Sequence, residues 1–318
     1  MTIQRLFAVT AAAILVGTAP PVIGHEVDLS QLPLGDGFIS SAPQAGSIFA
    51  CQSRFNPNAP GAHATGPWLG GSTFDLTAKP TVDGEVYHRS ELTVTVDGAG
   101  RRLVGNGLPD HATGVFPIRR TDEAYRYDRN PGSIESYRLD VTLPSQPEVA
   151  ARASCLPMGA IGVMTSGAVL FNALDARGDD ALAHEILDSC QGHPQREGVY
   201  HYHGKSPCVE DPTADELDHS GLVGYALDGF GIFGWRDENG DVVSNADLDE
   251  CHGHFGEVLW DGELVEMYHY HATPEYPYTL GCFRGTPVAT GIGAPSARGE
   301  RGRRGPRRGP SGGRGYGE

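Results

Sequence analysis

The sequence predicts a mainly β protein, sandwich-like or built of double sheets, with short helices, disulfide staples and a pseudo-twofold internal duplication. Three observations carry that expectation. First, a frame recurs: Asp188, Cys190, Gly192, His193, then Tyr200-His201-Tyr202-His203, then Cys208, is repeated as Asp249, Cys251, Gly253, His254, then Tyr268-His269-Tyr270-His271, then Cys282. Second, Gly162, Gly167, Phe171, Asp175 and Gly178 fall on Gly224, Gly229, Phe233, Asp237 and Gly240 at a constant shift of 62. Third, apolar and β-branched residues alternate with polar ones at period two over several short runs, and 44 glycines and 23 prolines break up the rest. Units spanning residues 162–208 and 224–282 are too few for a solenoid, which needs about three. They are expected to pair within one domain, with the two Tyr-His-Tyr-His strands near a common axis.

Residues 1–24 have the layout of a secretory signal: Arg5, an apolar run from Leu6 to Val16, then small residues to Gly24, after which cleavage is expected. That run is too short to span a bilayer, and no other stretch approaches ~18 uninterrupted apolar residues. A periplasmic or secreted protein without a transmembrane segment is therefore expected. Residues 25–99 read as an N-terminal β-rich region, turn-rich to about residue 70, with strands over 73–77 and 91–96. A further strand is expected over 136–143. Residues 163–171 and 222–233 read as paired buried strands turning near Gly167 and Gly229. A helix is expected over 180–189, where Asp179 or Asp180 can cap and Leu182, Ile186 and Leu187 share a face; its counterpart, 245–250, is about one turn. Residues 286–318, rich in Gly, Arg and Pro, are expected to form a disordered tail.

Charge is distributed unevenly. Residues 295–318 hold seven arginines against two glutamates; with these and Arg5 set aside, the −16 of the whole chain becomes −22 for residues 25–294. An acidic body argues against nucleic acid as a partner and is compatible with cation binding. The Arg-rich tail suits an anionic envelope polymer, or the acidic body itself.

Six cysteines in an exported chain point to three disulfides. The repeat frame selects Cys190 with Cys208 and Cys251 with Cys282, which leaves Cys51 for Cys155. Cys190-x-x-His193 and Cys251-x-x-His254 also have finger-like spacing, so thiolate ligation is the rival reading.

The histidines carry the chemistry. On an extended strand His201 and His203 share one face while Tyr200 and Tyr202 take the other, and His269 and His271 repeat this. With His193 or His254 tethered nearby, each copy offers three imidazoles to a copper or zinc ion and leaves a position open. One site per copy and clusters shared between copies are both compatible with the pattern. His111, His219 and His252 lie in or near the same motifs as secondary candidates. Asp188, Asp228 and Asp249 are expected as outer carboxylates that fix the imidazole tautomers. Without an ion, the same histidines and tyrosines would form a hydrogen-bonded polar core. Cleavage after Gly24 would also expose the amine and imidazole of His25 as a copper chelate. No Walker loop or His-Glu-x-x-His helix occurs in the chain, and no Gly-x-Ser-x-Gly elbow is read in it, since the string Gly309 to Gly313 falls in the Gly-, Arg- and Pro-rich tail and not between a strand and a helix; Asp228 with Asp237 does not by itself make a glycosidase pair.

The doubled Tyr-His-Tyr-His with its Asp-x-Cys-x-Gly-His, the stretch Gly224-Tyr225-Ala226-Leu227-Asp228-Gly229, and Pro277-Tyr278-Thr279-Leu280-Gly281-Cys282 together resemble the YHYH-domain family of bacterial envelope and secreted proteins. Gly107-Leu108-Pro109-Asp110-His111 with Phe116-Pro117 is similar to that family's upstream pattern, which puts the domain at about residues 100–285. The resemblance implies an exported domain and assigns it no activity or ligand. Three functions follow from the residues: an exported copper- or zinc-binding protein, a metal-dependent enzyme (hydrolase or copper oxidoreductase), and a structural or adhesive envelope domain without metal.

Overall fold

A computed structural model describes residues 27–52, 54–59, 63–195, 197–211 and 219–293. The signal over residues 1–24, the His25 terminus and the tail beyond residue 293 lie outside the described residues. Residues 286–293, expected in the tail, instead pack on the body: Val288 donates its N–H to Leu227 O, and Ile292 O accepts from Ala160 N.

The turn-rich N-terminal part contributes four two-residue strands: β1 (Leu32–Pro33), β2 (Ile39–Ser40), β3 (Ile48–Phe49) and β4 (Thr73–Phe74). β1 pairs antiparallel with β4, and β2 pairs parallel with β3. The period-two runs that follow form an antiparallel meander of β5 (Thr93–Asp97), β6 (Gly100–Gly105) and β7 (Leu139–Pro144).

The apolar runs double back at glycine. Gly167 (φ 98°) and Gly229 (φ 97°) take the left-handed conformation that side chains disfavour, and so create two hairpins. These are β8 (Ala160–Met164) with β9 (Val169–Phe171), and β12 (Leu222–Ala226) with β13 (Gly231–Phe233). β10 (Gly192–Pro194), β11 (Tyr200–Tyr202), β14 (Gly253–Trp260) and β15 (Glu263–His271) complete an eight-stranded sheet in the order β10-β11-β9-β8-β12-β13-β15-β14. Roles read the same from either edge. An edge strand lies antiparallel to a Tyr-His-Tyr-His strand, which lies parallel to the second strand of a hairpin. The halves meet through antiparallel β8 and β12, with Tyr225 opposite Val163.

The Tyr-His-Tyr-His strands are therefore not near a common axis. β11 and β15 stand five strand steps apart in that order, roughly 24 Å at ~4.8 Å per step. The hairpins occupy the middle because their continuous apolar runs are buried almost throughout, as strands covered on both faces must be.

The expected helix over 180–189 shrinks to α1 (Ala181–His184), capped by the Asp180 side chain. Tertiary partners claim the carbonyls that would have extended it. Lys79 Nζ donates to Leu182 O, Trp68 Nε1 to Ala183 O, Ala64 N to His184 O and Val82 N to Leu187 O. The chain turns extended at Glu185 (φ −90°, ψ 138°). Residues 245–250 form turns rather than a helix.

The disulfides formed are Cys51–Cys155, Cys190–Cys208 and Cys251–Cys282. Among the described residues no helix is long and apolar enough to cross a membrane.

Arg101 ties the meander to the large sheet. Its buried guanidinium makes two hydrogen bonds to Asp261 (2.9 and 2.7 Å) and lies over the rings of Trp260 and Tyr225. Arg101→Ala is expected to cost about 2–4 kcal/mol of unfolding free energy in denaturant titrations, and Arg101→Lys to recover less than half, since an ammonium cannot make the paired fork. Full recovery by lysine would mean that charge alone matters.

Candidate metal centres

Strand alternation sorts the side chains: histidines of β11 and β15 face one side of the sheet and tyrosines the other. The third histidine comes from the antiparallel neighbour. His193 is the register partner of His201, and His254 that of His269. A cross-strand partner plus the residue two further along puts three imidazoles on one patch of each half.

A fourth donor arrives from outside each patch. In the first centre, the extended backbone after α1 delivers Glu185, whose Oε2 lies 2.8 Å from His193 Nε2 and 2.9 Å from His203 Nε2; His201 Nε2 and His203 Nε2 are 3.1 Å apart. In the second, His219 enters just ahead of β12, with Nε2 3.2 Å from His269 Nε2. There the Nε2 separations are 3.0 Å for His254–His269, 3.1 Å for His254–His271 and 3.1 Å for His269–His271.

Backbone carbonyls decide which ring nitrogen carries the proton. A carbonyl oxygen only accepts, so each Nδ1 that meets one is an N–H. His201 donates to Val199 O, His203 to Asn172 O, His219 to Ser220 O, His269 to Met267 O and His271 to Gly234 O, at 2.6–3.1 Å. In the neutral ring Nε2 is then a bare lone pair. Lone pairs thus face one another across about 3 Å, and a proton on His254 Nε2 could serve only one neighbour. In the first centre Glu185 Oε2 and both ring nitrogens of His193 are buried without a hydrogen-bond partner; the short contacts between them are out of line for a hydrogen bond. Acceptors gathered in this way are costly unless a cation sits among them.

Burial keeps most of these rings in the ligating, neutral form. It pushes His269 down to about 3, with His254 adding to the shift. His201 and His271 are held well below the ordinary value, and His219 is lowered, burial again leading. Burial alone would raise Glu185, but His193 and His203 hold its carboxyl well below the usual range. His203 is raised, because the Glu185 carboxylate outweighs the burial that opposes it.

The spacing fits a tetrahedral ion. Metal–nitrogen bonds of 2.0–2.1 Å make a tetrahedral edge of roughly 3.3 Å, whereas a square-planar ion separates opposite nitrogens by roughly 4.1 Å. The three near-equal separations among His254, His269 and His271 match one triangular face.

Several sequence expectations need correction. A fourth donor fills the position expected to stay open. Asp188, Asp228 and Asp249 do not touch the imidazoles; the loops that carry them bring them to the tyrosine side, where they accept from the hydroxyls of Tyr200, Tyr270 and Tyr268 at 2.9, 2.6 and 2.9 Å. Carbonyls fix the tautomers instead. His111 Nε2 meets the Tyr202 hydroxyl at 2.5 Å, and the neighbouring Cys190 and Cys208 are spent in their disulfide. His252 meets Thr273 Oγ1. Of the secondary candidates only His219 joins a centre. Glu185 was not anticipated, nor was Asp128, a carboxyl raised by burial and opposed by His193, whose buried Oδ2 lacks a partner.

Residues 140–242 match the family model described as YHYH protein. The match contains the first Tyr-His-Tyr-His strand and stops short of the second. Comparison with curated proteins and with solved structures returns no match.

Proposed function

We propose that this chain is an exported metal-binding protein that holds two Zn²⁺ ions, one in each half of the large sheet, with Cu²⁺ as the competing ion. The observation that carries the reading is the inward array of bare Nε2 atoms, whose protons are committed to backbone carbonyls on the far side of each ring. Four nitrogen and oxygen donors satisfy a tetrahedral ion, which supports retention over open-site catalysis. A hydrolase or copper oxidoreductase would need one donor to withdraw. The mirrored strand order supports residues 162–208 and 224–282 as copies of one ion-binding unit. Three disulfides support an oxidising, extracytoplasmic setting.

Metal analysis of protein purified without a His tag from the periplasmic or secreted fraction tests the proposal. About two ions per chain are expected, falling to about one in His201→Ala/His203→Ala while all three disulfides still form. If calorimetry on stripped, refilled protein finds no zinc or copper binding tighter than micromolar at neutral pH, the site passes to the metal-free structural reading.

A further inference from the structure

We infer that the two centres exchange their ions at different rates, the second through a gate built from His254, Gly256 and Glu238, the first far more slowly. The inference rests on the two-centre reading above.

The first centre is sealed. His193, His201, His203 and Glu185 are exposed by 4%, 3%, 2% and 6%. The Phe171 ring stacks on His201 with centroids 3.9 Å apart, and Gly293 lies so close over that ring that an added Cβ would strike it.

The second centre has one loose side. His254 is half-buried on β14, an edge strand of the sheet. His219, His269 and His271 each anchor Nδ1 on a carbonyl, but Nδ1 of His254 has no such anchor among the described hydrogen bonds. The next inward residue on β14 is Gly256, which leaves a notch. A Cβ there would lie 3.3 Å from His269 Cε1, 3.9 Å from His254 Nε2 and 3.7 Å from Glu238 Oε2. The matching position in the first half, two past His193, is Gln195. Exposed Glu238 overlooks the notch from a turn pinned by Asp237, whose Oδ1 accepts from the N–H groups of Asn239 and Asp241.

The chemistry of entry follows. A hydrated divalent cation first meets the Glu238 carboxylate, an oxygen donor, and loses water to it. His254 then swings onto the ion as the remaining metal–water bonds are replaced by bonds to the three anchored imidazoles. Release reverses the order: His254 departs first and Glu238 or a chelator takes its place. No electron or proton transfer is required.

Zinc-loaded full-length protein challenged with a colorimetric chelator should lose one ion quickly and one slowly. Glu238→Gln should slow both filling and release of the fast ion about fivefold, the loss of one near-surface charge attraction, with both ions still bound at equilibrium. Gly256→Ala should slow it in the same direction, and His254→Ala should remove the fast phase and leave the slow one. Two ions leaving at one rate, or a fast phase indifferent to Glu238→Gln, would overturn the gate while leaving two centres standing. A protein that takes up no zinc at all overturns the two-centre reading and the gate with it.

Discussion

Stripping the protein of metal at neutral pH is expected to lower its thermal midpoint by about 10–20 °C. Structural zinc contributes ~10–16 kcal/mol in small domains, and even a third of that per ion shifts a domain of this size by this amount. The reason is local: without an ion the bare nitrogens of His219, His269 and His271 are buried against one another, and in the first centre the buried Glu185 carboxylate is answered only by the imidazoles beside it. Acid should deepen the loss. His252 and His269 titrate at about 3 in the folded protein, both chiefly through burial, against ~6.5 when unfolded. At these two rings the unfolded chain binds more protons between those values, so their contribution to stability falls as pH drops from about 6.5 toward 3, by up to ~1.4 kcal/mol per pH unit for each ring. Among the displaced imidazoles His88, His201, His219, His252, His269 and His271 are lowered and only His184 and His203 raised, so the histidine contribution keeps that sign, while the carboxyls raised by burial, Asp180 to about 6 and Asp110, Asp128, Asp179, Asp188 and Asp228 with it, act in the opposite sense. Differential scanning calorimetry of loaded and stripped protein from pH 4 to 8 checks both parts; coincident midpoints would show that the clusters hold together without an ion.

Removing the longest disulfide should be the next largest effect. Cys51–Cys155 closes a separation of 104 residues, against 18 for Cys190–Cys208 and 31 for Cys251–Cys282. Loop-closure entropy assigns about 4.7 kcal/mol to a loop of ~100 residues and ~3 to one of ~15. The double variant Cys51→Ala/Cys155→Ala should therefore lose about 4–5 kcal/mol in non-reducing denaturant titrations, more than either local pair. Local contacts argue the same way: Cys51 N donates to Leu156 O, and Ala50 bridges Leu156, so this staple holds the N-terminal segment onto the sheet. An equal loss for all three pairs would refute the loop-length argument.

The clustering of histidines is legible in the sequence where strand geometry alone places the side chain. Period-two alternation is enough to aim His201, His203, His269 and His271, and the cysteine frame brings His193 and His254 alongside. Where tertiary competition decides, the sequence carries no such sign. Glu185 reads as a mid-helix residue until the carbonyls around it are claimed by Lys79, Trp68 and Ala64. His219 precedes the repeated frame, and the position 62 residues earlier is Pro157, so no recurrence marks it. The expectation that Asp188, Asp228 and Asp249 fix the imidazole tautomers fails, because their face of the sheet depends on loop paths that carry no periodicity, and they meet tyrosine hydroxyls instead. The common-axis expectation failed for a related reason: motif spacing does not reveal that the hairpins would insert between the Tyr-His-Tyr-His strands.

The donors of each centre are close in the chain. Those of the first lie within residues 185–203 and those of the second within 219–271. Closing a short loop costs less entropy than closing a long one, and contacts of small sequence separation form early. An ion could therefore organise either half before β8 meets β12, and before Cys51 finds Cys155. Each half would then enter the sheet already shaped, and under the proposed function the order of assembly, not only final stability, would depend on the metal supply.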